Sequence, residues 1–214
     1  MTQAIRSVPG AAVRGTASGV LFMSFFGTLW AYTGTMGLRG WGTSLFLTAA
    51  LVIGAALFFG GISLIRSSKA LPVQSIEGDA RTGKRMRFWF NINFAAEGIA
   101  IFIAIAVCNA IHRSELMPII IAIIVGIHFF PLASLFGVKF YHFTGAFLCL
   151  LAVITWLFVP ERITVGSHQL DSYLSIVGFG SSIILWITGF AIWMTGRRLL
   201  TGVPREQTSG LSQN

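Results

Sequence analysis

Six stretches of this chain run the length of a membrane crossing without a single Lys or Arg: residues 17–36, 42–65, 88–111, 117–136, 140–159 and 173–195. A hydrocarbon core ~30 Å thick needs ~20 helical residues at a rise of ~1.5 Å each. The runs are continuously apolar and do not alternate, which selects helices over barrel strands. Only 10% of the residues are charged, against ~25% in an average soluble domain. Too little polar surface remains to cover a soluble fold, because charged side chains supply most of such a surface. The expected fold is all-α: a polytopic membrane bundle of six transmembrane helices forming one domain over 17–195.

Orientation follows from the cations. Arg6, Arg14, Arg66, Lys69, Arg81, Lys84, Arg85, Arg87, Lys139, Arg197, Arg198 and Arg205 fall on one side of the alternating spans, and only Arg39, Arg113 and Arg162 on the other. Short loops rich in Lys and Arg stay cytoplasmic, which predicts an N-in/C-in topology. Residues 1–16 are then a cytoplasmic tail, 66–87 a basic cytoplasmic loop with a short interfacial helix near its end, and 196–214 a polar, disordered cytoplasmic tail. An odd number of spans would split the two most basic regions across the membrane. Arg6 and Arg14 precede an apolar run longer than a signal-peptide core, so an uncleaved first helix is expected. The net charge of +8 and pI near 10.5 are accounted for by topogenesis and by attraction to an anionic inner leaflet. No nucleic-acid partner is expected.

The connections are short, and that fixes neighbours. Gly37, Leu38, Arg39 and Gly40 make a glycine-bracketed turn, with Trp41 at the headgroup level. Residues 112–116 and 137–139 are equally tight, so helix four must lie beside helices three and five. Pro160 stops helix five, and 161–172 reads as a modest outer loop. Ser18–Trp30 and Val125–Phe136 both place Gly before aromatics, too short a match to define a repeat.

Chemistry, if present, has to come from polar groups inside the spans. Glu97 is the one acidic residue there, nine positions past Phe88, hence about 14 Å along a helix and near mid-core. Ionisable groups at such depth are costly and serve pathways, proton relays or partners. The structural alternative is a protonated acid hydrogen-bonded between helices. His128 lies eleven residues after Met117 on a helix entering from the opposite face, roughly 16 Å in. The two depths match on adjacent helices, and an imidazole could share a proton with the acid. Matched depth leaves rotation open, and a lone His in an apolar span is also an ordinary packing residue.

Supporting features surround them. Asn93, Ala96, Glu97, Ala100, Ala104 and Cys108 share one helical face, read either as a packing seam or, with Asn91, as a polar entry route. Pro131 cannot donate to the carbonyl of Ile127, which frees an acceptor beside His128. Lys139, Tyr141 and His142 cluster at the inner end and read first as an interfacial anchor, with Tyr141 at headgroup level. His128 and His142 differ in depth by most of a leaflet, which disfavours a shared haem. Cys108 and Cys149 lack metal or disulfide spacing. Gly178, Gly180, Ser181 and Ser182 suggest close packing rather than a serine nucleophile, since no His lies opposite in a span. No catalytic residue, metal site or cofactor is expected.

The segment Ile124–Phe136, containing Gly126-Ile-His128-Phe-Phe-Pro131-Leu-Ala133, together with Ala95-Ala-Glu97-Gly98, resembles a pattern in small bacterial integral membrane proteins to which no activity is assigned. The likeness spans helices three to five. It implies a multi-pass protein of the bacterial inner membrane and brings no substrate or cofactor. The leading expectation is a small proton-linked transporter or channel-like protein acting on a proton or small solute through Glu97 and His128. A non-catalytic assembly, sensor or interaction subunit, compatible with a homo-oligomer, is the alternative. A membrane enzyme on lipid substrates ranks third, since no nucleophile, metal cluster or nucleotide motif is visible.

Overall fold

The computed structural model describes residues 10–69, 79–166 and 168–201. It is an all-α bundle of six helices: α1 (Gly10–Gly37), α2 (Thr43–Ser68), α3 (Asp79–Ala110), α4 (Met117–Phe136), α5 (Phe140–Phe158) and α6 (Ser172–Thr201). Five of them, α2 to α6, are long and apolar enough to cross a membrane. These make the chain a multi-pass membrane protein. The helix that falls short of that mark, α1, owes its lower apolarity to Gly19, Ser24, Gly27, Thr28 and Gly34, and several of these face protein rather than lipid. Ser24 Oγ donates to the Gly54 carbonyl of α2 at 2.7 Å, and a Cβ on Gly27 would stand 2.6 Å from the Trp186 ring.

Pairing is set by the small residues. The most extensive interface joins α1 to α6, α2 lies along α1, and α6 also touches α2, α4 and α5. A Cβ on Gly178 would lie 2.5 Å from Gly34 Cα and 2.9 Å from the Trp30 carbonyl, so α1 and α6 meet backbone to backbone. The expected packing role of the Gly178–Ser182 run fits this contact: Ser181 and Ser182 are fully buried, and Ser182 Oγ donates to its own helix at Phe179 O, 2.7 Å. Gly126 and Gly145 form a second seam, where a Cβ on Gly126 would sit 2.9 Å from the Gly145 carbonyl. There α4 and α5 close together.

Buried hydroxyls join α5 to α6. Thr144 Oγ1 and Thr188 Oγ1 are 2.7 Å apart, both buried. Thr144→Val should lower stability by about 0.6 kcal/mol and by no more than ~1.7, the range for interhelical hydrogen bonds in membranes. The double change Thr144→Val with Thr188→Val should cost less than the two single changes added together, because either single change already removes the bond between them, while the remaining hydroxyl keeps its own-helix acceptor at Phe140 or Ile184. Unfolding by titrated denaturing detergent measures all three variants.

Three boundaries differ from the sequence reading. The segment expected to hold a separate interfacial helix instead continues α3 back to Asp79, and residues 70–78 of that loop lie outside the described residues. α1 begins at Gly10, inside the expected tail, and α6 runs on to Thr201. The expected disordered tail beyond it, like residues 1–9, lies outside the described residues. The segment 161–172, expected as a loop, holds regular structure: β1 (Arg162–Val165) and β2 (His168–Asp171) form an antiparallel hairpin pairing Arg162 with Asp171 and Val165 with His168. β-Branched Ile163, Thr164 and Val165 suit strands, and Gly166, at φ 62°, supplies the left-handed residue of the turn.

α3 is peripheral. It packs along α4 and turns Phe88, Trp89, Ile99 and Phe102 outward. It meets α1 through rings, Phe22 lying 6.0 Å from Phe94 and 6.4 Å from Phe90.

Candidate functional site: an acid and an imidazole between α3 and α4

The short Ser114–Leu116 3-10 turn folds α4 back along α3, so residues at equal depth on the two helices become neighbours. The face of α3 turned toward α4 carries Asn93, Glu97, Ala100, Ala104 and Cys108, all half-buried or buried. Ala96, assigned to the same stripe from spacing, is exposed. Small residues on this face let the backbones approach, and Asn93 and Glu97 are left pointing across the interface.

Glu97 Oε2 lies 3.4 Å from His128 Nδ1. The distance is that of an ion pair, yet the two groups are not aligned for a hydrogen bond, and Nδ1 has no other partner. The imidazole side chain is 6% exposed and the carboxyl side chain 13%, so little lipid or water reaches between them. Phe94 and Phe129 stand edge-on to the imidazole at 6.4 and 6.0 Å. No Lys or Arg pairs with Glu97 among the described residues. The group that Glu97 approaches among the described residues is therefore an imidazole, not a fixed cation.

Asn93 completes the group in a way spacing did not indicate. Its Nδ2 donates to the His128 carbonyl at 3.3 Å, one residue beyond the Ile127 carbonyl that loses its helical donor to Pro131. Pro131 itself is exposed, and α4 runs through it unbroken. One side chain thus holds the backbone of His128 while the next turn of α3 meets its ring.

The remaining candidates are not brought to the pair. Asn91 is exposed on α3. His142 is exposed and lies against Phe130, 5.9 Å between rings. Tyr141 corrects the anchor reading: it is buried, packs on Phe129 and Phe136, and its hydroxyl covers Gly19 of α1 so closely that a Cβ there would sit 2.8 Å away. Its place on the buried face Tyr141, Thr144, Gly145, Leu148, Ala152, Thr155 explains why. Phe94, which borders the imidazole, went unremarked in the sequence, although its position one turn before Glu97 was a usable signal. The recess beside Ser63 and Arg66 and the one beside Arg39 and Glu115 are lined by other residues than Glu97 and His128, and no cluster of metal-binding groups occurs among the described residues.

A family model described as a family of unknown function, DUF7010, matches residues 10–195. No curated protein and no solved structure matches the chain.

Proposed function

Since the chain belongs to the DUF7010 family, which brings no activity with it, we propose from the residues themselves that it is a small proton-linked transporter or channel-like protein of a bacterial inner membrane. The approach of Glu97 to His128 within 3.4 Å carries this reading. A protonatable acid in a span without a neutralising cation has to exchange protons or stay neutral, and an imidazole beside it offers a second proton carrier with a pKa ordinarily near neutrality. The peripheral position of α3 supports movement, since displacement of α3 from α4 disturbs few other contacts. Proteoliposomes with an imposed pH gradient test it: the protein should dissipate the gradient faster than empty liposomes, and an identical rate refutes the reading.

In this proposal all six helices cross the membrane, with both ends in the cytoplasm. Support comes from the charge distribution: the hairpin end holds Arg39, Arg113 and Arg162 offset by Glu115, Glu161 and Asp171, while the other end is strongly basic. A reporter fused after residue 214 that is active only in the periplasm should remain silent, and activity there reverses the orientation.

One observation favours a second reading, a non-catalytic interaction subunit. α3 leaves most of its surface unpartnered, as a helix would that completes its packing in an assembly. Absence of flux together with a stable oligomer in mild detergent selects that reading.

A further inference from the structure

At the hairpin end of the bundle, four separate pieces of chain converge: the turn after α1, the 3-10 turn before α4, the end of α5 with β1, and the junction of β2 with α6. Between them is a recess of about 410 Å³ whose charged lining is Arg39, Arg162, Glu115, Glu161 and Asp171. The recess is half open, so it can take up a compact group such as a headgroup and leave the remainder of the molecule outside.

Its charges are unequally committed. Arg113 pairs with Glu115 and Arg162 with Glu161 at 3.3 Å, and Asp171 Oδ1 accepts from the Leu174 backbone at 3.3 Å. Arg39 makes no ion pair among the described residues. Its backbone is left-handed, φ 47°, a conformation uncommon in residues other than Gly, Asn and Asp. Strained positions of this kind persist where the surroundings dictate them. The turn is held by Gly37, where a Cβ would lie 2.8 Å from the Asp171 carbonyl, and by buried Leu38. The strained residue is exposed and, with no ion pair among the described residues, lines a recess that also holds three carboxylates.

We propose that this recess is a binding site for a small zwitterion, with an anionic group on Arg39 and an ammonium among Glu115, Glu161 and Asp171. A simple anion would meet three carboxylates and a simple cation two guanidiniums. A molecule carrying both signs satisfies each at once. A guanidinium suits a carboxylate or phosphate through paired N–H donors. A phosphoethanolamine unit has this chemistry, either as a lipid headgroup, since the recess lies at the ends of α4, α5 and α6, which are long and apolar enough to cross a membrane, or as a free solute. The site is independent of the proton-linked reading, because binding is measured without flux.

Native mass spectrometry of the purified full chain provides the test. Protein loaded with equal amounts of dioleoyl phosphatidylethanolamine and dioleoyl phosphatidylglycerol should retain the first about tenfold over the second. Soluble O-phosphoethanolamine is then added. Displacement of the lipid identifies the headgroup chemistry alone as the ligand, and persistence identifies the lipid; either supports the site if Arg39→Gln and Glu161→Gln abolish the preference and Arg39→Lys restores part of it. Glu97→Gln should leave the preference unchanged. Should Arg39→Gln fail to fold, Glu161→Gln alone decides. Equal retention of the two lipids with no binding of the soluble zwitterion overturns the proposal, as does a preference that survives Glu161→Gln.

Discussion

Glu97→Gln is expected to abolish pH-driven flux in proteoliposomes, by at least ~10-fold, equivalent to ~1.4 kcal/mol, while expression and detergent stability stay at the wild-type level. Glutamine keeps the length, planarity and hydrogen-bonding atoms of a protonated glutamate and loses only the exchangeable proton. Packing between α3 and α4 is therefore preserved and proton carriage is not. Glu97→Asp retains the proton but withdraws the carboxyl by one methylene from an imidazole that stands 3.4 Å away, so partial flux is expected. His128→Ala should also stop flux, with an added stability loss, because the ring fills a buried position between Phe94 and Phe129. Flux in Glu97→Gln equal to wild type would remove the pair from any transport mechanism.

The second large effect is structural. Gly178→Ala should destabilise the bundle by about 3 kcal/mol, at the upper end of the cost of overpacking a core, because the new methyl would meet the backbone of Gly34 and Trp30 rather than a side chain that can swing away. Helix propensity works the other way, since Ala is favoured over Gly by ~1 kcal/mol, and the steric term must exceed it. Gly15→Ala is the matched control: nothing lies within 4 Å of its Cβ position, so propensity alone acts and stability should rise slightly. Detergent-titrated unfolding compares them, and a Gly178→Ala protein as stable as Gly15→Ala would show that α1 and α6 do not meet at this point.

Much of the bundle was legible because hydrophobic length and charge placement are one-dimensional properties. The helices α2 to α6 and the α3–α4 and α4–α5 turns follow from run length and loop length alone. Rotation is not one-dimensional: each residue turns the helix by ~100°, so the depths of Glu97 and His128 could be matched while their facing could not. Tyr141 was misread for a related reason. Its neighbour Lys139 suggested an interface, whereas the small residues Thr144, Gly145 and Ala152 on the same face already marked the side that packs. The β-hairpin is signalled by Ile163-Thr164-Val165-Gly166, but a strand of four residues is too short to stand out from a loop between two apolar runs. The recess at the hairpin end was beyond reach, since it depends on four distant segments meeting.

The union of α1 with α6 has a consequence for how the molecule is made. α1 emerges early from the ribosome, and its glycine surface finds its matching surface only after some 150 further residues have been synthesised. Until then α2 is its main companion, and the Ser24 hydroxyl bonded to Gly54 is the clasp available to hold it. Bundle closure is therefore a late event in biogenesis, and a chain truncated before α6 leaves the polar, glycine-lined side of its first helix without the partner that covers it in the bundle.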